Sequence, residues 1–238
     1  MMWCLHGAVG MASDWESFRR EMGGAGHEVA AVDLWSYLER GPLTLEEFGL
    51  RFSRRVEAGD DDPVLVGYSM GGRLGLHALL AASASWKAAV IVSAHPGLTR
   101  ERDRILRMGE DARWAARALH GDWAGFLEDW HNRAVLGTPP PEFDDRGRLE
   151  PKREAVARSF MEWSLGKQDD LRPRLRRVEC PVLWVTGSRD GKFTALGEVA
   201  AAQLRHGCAL VVPAAGHRVP WEAPGSFAAA VRSFVESL

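Results

Sequence analysis

Val64-Leu65-Val66-Gly67-Tyr68-Ser69-Met70-Gly71-Gly72 sets an unbroken apolar run against a Gly-x-Ser-x-Gly turn, and that turn opens a helix-forming segment, Met70–Ala82. An apolar run without alternation suits a parallel strand covered on both faces. A serine held between glycines at such a junction takes a strained backbone conformation that lifts its hydroxyl clear of the sheet. The glycines remove side chains that would collide there. The hydroxyl then stands at a helix N-terminus, where developing negative charge is favoured. A turn without chemistry could share the spacing, but it would not need the strand before it and the helix after it.

The same rhythm extends outward from this junction. Strand-like runs occur at Met2–Leu5, Val29–Leu34, Val64–Gly67, Ala88–Ser93, Val182–Gly187 and Ala209–Val212. Helix-like segments fall between and after them at Trp15–Gly23, Leu45–Ala58, Met70–Ala82, Ala195–Leu204 and Ser226–Glu236. Alternating strand and helix predicts an α/β fold with a mostly parallel, doubly wound sheet of about six strands flanked by helices. From Thr99 to about Arg177 the strand rhythm stops, and the chain turns Arg-, Glu- and Trp-rich with helical spacing, broken at Pro139-Pro140-Pro141. The expected organisation is a core of residues 1–98 and 178–238, with residues 99–177 inserted as a helical lid.

An isolated serine is inert near neutral pH and needs a base and an orienting acid. His217, in Ala214-Ala215-Gly216-His217, follows the last strand-like run, and Asp190, in Gly187-Ser188-Arg189-Asp190, follows the one before it. Either alone could be a solvated loop residue. Together they complete the order Ser69, Asp190, His217, which is that of α/β-hydrolase triads. The other histidines are expected in helices, loops or at the surface, His77 packed within its helix and His6 fastening the first loop. The oxyanion donors are expected to be the backbone N–H groups of Met70 and of Ala8, in His6-Gly7-Ala8-Val9-Gly10.

Composition narrows the function further. The 238 residues are 46% hydrophobic and 26% charged, and 30 Lys+Arg against 32 Asp+Glu leave a net charge of −2. That balance argues against nucleic acid or a membrane surface as partner. No apolar run approaches the roughly 20 residues that span a bilayer. Met1–Gly7 lacks a basic segment followed by a long apolar one, so a cytoplasmic protein is expected. Three cysteines (Cys4, Cys180, Cys208) without a CxxC pair suggest neither a disulfide framework nor zinc. No metal and no cofactor are expected.

The motifs in order resemble the 2-succinyl-6-hydroxy-2,4-cyclohexadiene-1-carboxylate synthases of menaquinone biosynthesis, a family of the α/β-hydrolase fold. They are Leu5-His6-Gly7 with Asp14-Trp15, Gly67–Arg73, Ser93-Ala94-His95-Pro96-Gly97-Leu98, Asp129-Trp130, Asp190-Gly191-Lys192-Phe193 and Ala215-Gly216-His217. The His-Gly and Gly-x-Ser-x-Gly parts are common to many hydrolases. Arg73, the Ser-Ala-x-Pro-Gly-Leu run and the Asp-x-Lys-Phe run discriminate better. Family members usually carry a strand or hairpin before the His-Gly loop, whereas this chain reaches it at residue six. Either the sheet lacks its first strands, or the true start lies upstream. His95 stands where the family run more often has a small residue, and Asn132–Glu150 does not align securely.

Arg73 carries information without the resemblance. Four residues beyond Ser69, it lies about one helical turn away on the same face. A guanidinium there would suit an anionic substrate through bidentate contact with a carboxylate, or would form a structural ion pair. Thr99–Arg158 holds eleven Arg and one Lys against twelve acidic residues, so most of its arginines should be solvated helix faces. The resemblance implies a substrate with three carboxylates, held by Arg73, by Arg107 (with Arg104 as the fallback) and by Arg158, with Tyr68 and Trp130 lining the site. The implied reaction is a lyase elimination of pyruvate from 2-succinyl-5-enolpyruvyl-6-hydroxy-3-cyclohexene-1-carboxylate. The alternatives are a serine carboxylester or thioester hydrolase acting through an acyl-enzyme, or a non-catalytic binding protein on the same scaffold.

Overall fold

A computed structural model describes residues 1–137, 139, 140, 143 and 145–238, without the side chain of Ser83. Six strands form one sheet: β1 (Met2–Leu5), β2 (Val29–Val32), β3 (Val64–Tyr68), β4 (Ala88–Val92), β5 (Val182–Gly187) and β6 (Gly207–Val212). Their order is β2-β1-β3-β4-β5-β6, and every neighbouring pair is parallel. The winding reverses at β1, which has β2 on one side and β3 on the other. Ligands of open parallel sheets bind at such reversals, beyond the strands' C-terminal ends.

Both faces are covered, which explains the continuous apolar runs. Val64, Val66, Val90, Val92, Leu183 and Val185 enter one core with Phe18 and Met22 of α1 (Glu16–Gly24), and with Phe227 and Val231 of the C-terminal helix, Pro224–Glu236. The alternate residues Leu65, Ala89, Ile91, Val182 and Trp184 enter the opposite core, against α3 (Leu45–Glu57) and α4 (Met70–Ala81). The side chains still alternate between faces, but neither face is solvated.

Some boundaries differ from the sequence-based reading. β2 stops at Val32, because the Leu34 N–H donates to the His6 ring and Trp35 opens the short helix α2 (Trp35–Leu38). α9 spans Gly191–Ala201, four residues earlier than expected, because the Asp190 carboxylate accepts the Phe193 N–H and caps it. The short helices α8 (Arg172–Leu175) and α10 (Val219–Glu222), each with proline in its first turn, carry too little periodicity to be read in advance. The C-terminal helix is α11.

Between β4 and β5 the chain is helical, with α5 (Glu101–His120), α6 (Trp123–His131) and α7 (Arg153–Glu162) joined by 3-10 turns. Of the triple proline, Pro139 and Pro140 lie in a loop and Pro141 is outside the described residues. Trp114, Phe126, Trp130 and Phe160 pack edge to face where α5, α6 and α7 meet. Arg133 lies over Trp114 and Trp130 and pairs with Glu110. Arg117 pairs with Asp129.

Candidate active site

Ser69 sits between β3 and α4 with φ 52° and ψ −109°, a left-handed conformation that costs a non-glycine residue on the order of 1–3 kcal/mol. The surrounding chain imposes it. The Ser69 N–H donates to the Val92 carbonyl of β4, and the Ser69 carbonyl accepts the Arg73 N–H at 3.1 Å. Crowding explains the glycines: a Cβ on Gly67 would stand 2.7 Å from the Gly71 carbonyl oxygen, and one on Gly71 would overlap the carbonyl of Leu5.

The Ser69 hydroxyl lies 3.2 Å from His217 Nε2, and His217 Nδ1 lies 2.6 Å from Asp190 Oδ2. Ser69, Asp190 and His217, from three separate strand ends, are therefore within hydrogen-bonding reach in sequence. An ionised Asp190 accepts from Nδ1–H, which leaves the Nε2 lone pair facing the hydroxyl. His217 and Asp190 are buried, and Phe193 stands edge-on to the imidazole at 4.4 Å. The two loops are tied together. Arg189 N–H donates to the Ala215 carbonyl, Ala214 N–H donates to Ser188 Oγ, and the Glu222 carboxylate accepts the N–H groups of Gly216 and Arg218 on either side of His217.

The loop after β1 is fixed by His6. Its Nε2 accepts the Leu34 N–H, so its Nδ1–H donates to the Gly7 carbonyl at 2.9 Å. Burial pushes the imidazole down to about 4, so it stays neutral in this role. Among the described residues, the N–H groups of Ala8 and Met70 make no hydrogen bond to another backbone group. Ala8, Tyr68 and Trp130 line a small cavity of about 20 Å³ next to the elbow.

The arginines fall differently. Arg73 is buried, giving one N–H to Gln168 Oε1 (3.1 Å) and another to the Trp163 carbonyl (2.5 Å). Burial, and then the charge of Arg107, lower its pKa to about 9. Arg107 pairs with the buried Asp111 at 2.8 Å, and Asp111 also accepts the Ser164 hydroxyl. Arg104 donates to the Gly166 carbonyl. His95 is nearly buried, and its Nδ1 accepts the Gly97 N–H. Burial, followed by the charges of Lys192, Arg73, Arg107 and Arg172, lowers the His95 pKa to about 3. Arg172 pairs with Asp170 and donates to the Gly97 carbonyl.

Arg158 lies apart from that cavity. It donates to the Leu38 carbonyl and lines an open groove between α5 and α7 with Leu119 and Met161, away from the cavity beside the elbow. The buried side of α7 is formed by Ala155, Val156, Ala157, Ser159 and Phe160, which leaves position 158 on its flank. Two arginines that the sequence reading passed over, Arg146 and Arg218, are buried and line the cavity instead. Arg146 lies in the stretch that does not align. Arg218 directly follows His217, and that adjacency was the signal available.

The sequence model of the Alpha/beta hydrolase family matches residues 4–230. The 2-succinyl-6-hydroxy-2,4-cyclohexadiene-1-carboxylate synthase of Pectobacterium atrosepticum is 31% identical, covering 98% of this chain and 92% of that protein. The enzyme of the same name from Serratia proteamaculans is 29% identical, with 99% and 92% covered. Among solved structures, MenH from S. aureus superposes with a TM-score of 0.88 at 20% identity, covering 99% of this chain and 93% of that one, a likeness of fold.

Proposed function

The chain belongs to the Alpha/beta hydrolase family and, within it, to the 2-succinyl-6-hydroxy-2,4-cyclohexadiene-1-carboxylate synthases, and from that membership we propose that it eliminates pyruvate from 2-succinyl-5-enolpyruvyl-6-hydroxy-3-cyclohexene-1-carboxylate. His217, oriented by Asp190, draws the proton of the Ser69 hydroxyl, and Ser69 Oγ removes the ring proton next to the succinyl carbonyl. The electron pair moves through the ring double bond and expels the enolpyruvyl oxygen, so one C–H and one C–O bond break. The departing enolate takes up a proton at carbon to become pyruvate. No water is consumed and no acyl-enzyme forms. The N–H groups of Ala8 and Met70 face the charge that builds on the carbonyl, and losing one such donor costs about 3–4 kcal/mol in related sites.

The observation that carries this reading is the Ser69–His217–Asp190 contact chain, set in a chain whose sequence matches named synthases over nearly its whole length. An ester hydrolase would use the same contact chain but would not need a guanidinium on the helix that the serine opens. Arg73 stands there, four residues beyond Ser69, with its N–H groups on Gln168 and the Trp163 carbonyl. Residues 99–177 act as the lid over a core of residues 1–98 and 178–238, and the reaction belongs in the cytoplasm. The direct test is to supply the enolpyruvyl substrate and follow pyruvate with wild type and Ser69→Ala. Wild type should release it at least a thousandfold faster. Equal, slow release by both proteins, with a burst of p-nitrophenol from an activated ester, would pass the site to a serine hydrolase.

A further inference from the structure

The loop after α2 and the outer side of α3 carry a concentration of positive charge that the chemistry at Ser69 does not use. Phe48, Gly49, Phe52, Ser53 and Val56 form the buried side of α3, and the Ser53 hydroxyl donates to the Ala78 carbonyl of α4. Arg51 and Arg55 stand one turn apart on the exposed side. Arg40, just past α2, joins them, and the three arginines line an open hollow of about 310 Å³ together with Ser36 and Tyr37. The Tyr37 ring is held edge-on to Phe48 at 4.9 Å, and its hydroxyl accepts an N–H of Arg55 at 3.3 Å.

The acids that could neutralise these arginines are engaged elsewhere. Asp33 and Glu39 both pair with Lys152, at 2.6 Å and 3.2 Å. Glu46 lies 3.4 Å from His77 Nδ1, Glu47 accepts the Thr44 N–H in the capping box of α3, and Glu57 accepts the Ser85 hydroxyl. Among the described residues, Arg40, Arg51 and Arg55 form no ion pair. A lone exposed arginine needs no partner beyond water. Three that line one hollow, while every acid of the same stretch turns to another partner, leave a concave surface of one sign. Like charges four residues apart on a helix also repel, and an anion between them would reverse that effect. Guanidinium forks from two separate elements match phosphate oxygens bidentately, and the hollow falls in the size range of small-ligand sites.

We propose that Arg40, Arg51 and Arg55 form a binding site for a soluble ligand bearing a diphosphate group, separate from the serine site and independent of the reaction proposed above. Two linked phosphates carry roughly three charges at neutral pH, which three guanidinium groups match; a single carboxylate would leave two of them unanswered. The concavity suits a small ligand rather than a flat membrane surface, and the net charge of −2 supplies no long-range pull towards one.

The probe is pyrophosphate, titrated calorimetrically into the full chain at physiological ionic strength, with sulfate as the control anion and thermal unfolding to show that each variant folds. Wild type should bind pyrophosphate at least tenfold more tightly than sulfate. Arg51→Gln combined with Arg55→Gln should weaken pyrophosphate at least tenfold, and Arg51→Lys should lose less than Arg51→Gln, because it keeps the charge without the fork. Arg54→Gln, on the same helix but outside the hollow, should bind as wild type does. If the double variant fails to fold, Arg40→Gln, in the loop, is read by the same criteria. Wild type that binds pyrophosphate no better than sulfate overturns the proposal. So does equal weakening by Arg54→Gln, which would mark a general charge effect, or a loss confined to Arg73→Gln, which would put the anion beside the serine. Binding to phosphatidylglycerol vesicles without binding of free pyrophosphate would make the patch a membrane contact and overturn it as well.

Discussion

Replacing Asp190 with asparagine removes one charge from a buried contact and little else. The carboxylate lies 2.6 Å from His217 Nδ1, and its other oxygen caps α9 through the Phe193 N–H, a bond an amide oxygen can also accept. When His217 takes the serine proton it becomes an imidazolium facing that carboxylate. Two unit charges about 4 Å apart interact by about 4 kcal/mol at an effective dielectric constant of 20. At about 1.4 kcal/mol per tenfold, the turnover of Asp190→Asn should fall on the order of a thousandfold. The asparagine NH2 can also force the wrong tautomer on the imidazole, which adds to the loss. The assay is pyruvate release under saturating enolpyruvyl substrate, with thermal unfolding to show that the fold persists. If the three residues act as a unit, Ser69→Ala with Asp190→Asn should be no slower than Ser69→Ala alone. An Asp190→Asn enzyme that keeps more than a tenth of wild-type kcat would refute the reasoning.

Two further perturbations bear on stability. Burial lowers His6 to about 4, and His77 and His95 to about 3, so the unfolded chain binds more protons than the folded one from there up to about pH 6.5. Stability is then complete above that pH and falls as pH drops through the window, by about 2 kcal/mol per histidine at pH 5. Urea unfolding at pH 7 and pH 5 measures it. His95→Asn, which keeps an acceptor for the Gly97 N–H, should flatten the slope, and a total loss under about 1 kcal/mol would count against these burials. Gly71→Ala should cost about 3 kcal/mol or abolish folding, because its Cβ would overlap the Leu5 carbonyl. Gly23→Ala, which meets no atom within 4 Å, should be neutral or mildly stabilising in the same urea titration.

What the sequence made legible was what is written locally. The starts of β1, β3, β4 and β5 could be read because buried parallel strands are apolar on both faces, and β5 ends at the punctuation of Gly187. The placement of Ser69, Asp190 and His217 was accessible for the same reason, since each follows a strand in a fixed order. The arginines were not. Arg158 and Arg218 look alike in a string of letters, and only three-dimensional packing sends one to the Leu38 carbonyl and the other into a cavity. Arg73 was read for its proximity to the nucleophile, but its bonds to Gln168 and Trp163 depend on a chain segment some ninety residues away.

Those two bonds have a consequence for how the inserted helices can move. Arg73 grows from the same helix that Ser69 opens, and it holds Trp163 and Gln168 in the stretch after α7. Lifting that stretch away would break two buried hydrogen bonds and strip a guanidinium of its partners, so this end of the insertion is fastened to the core.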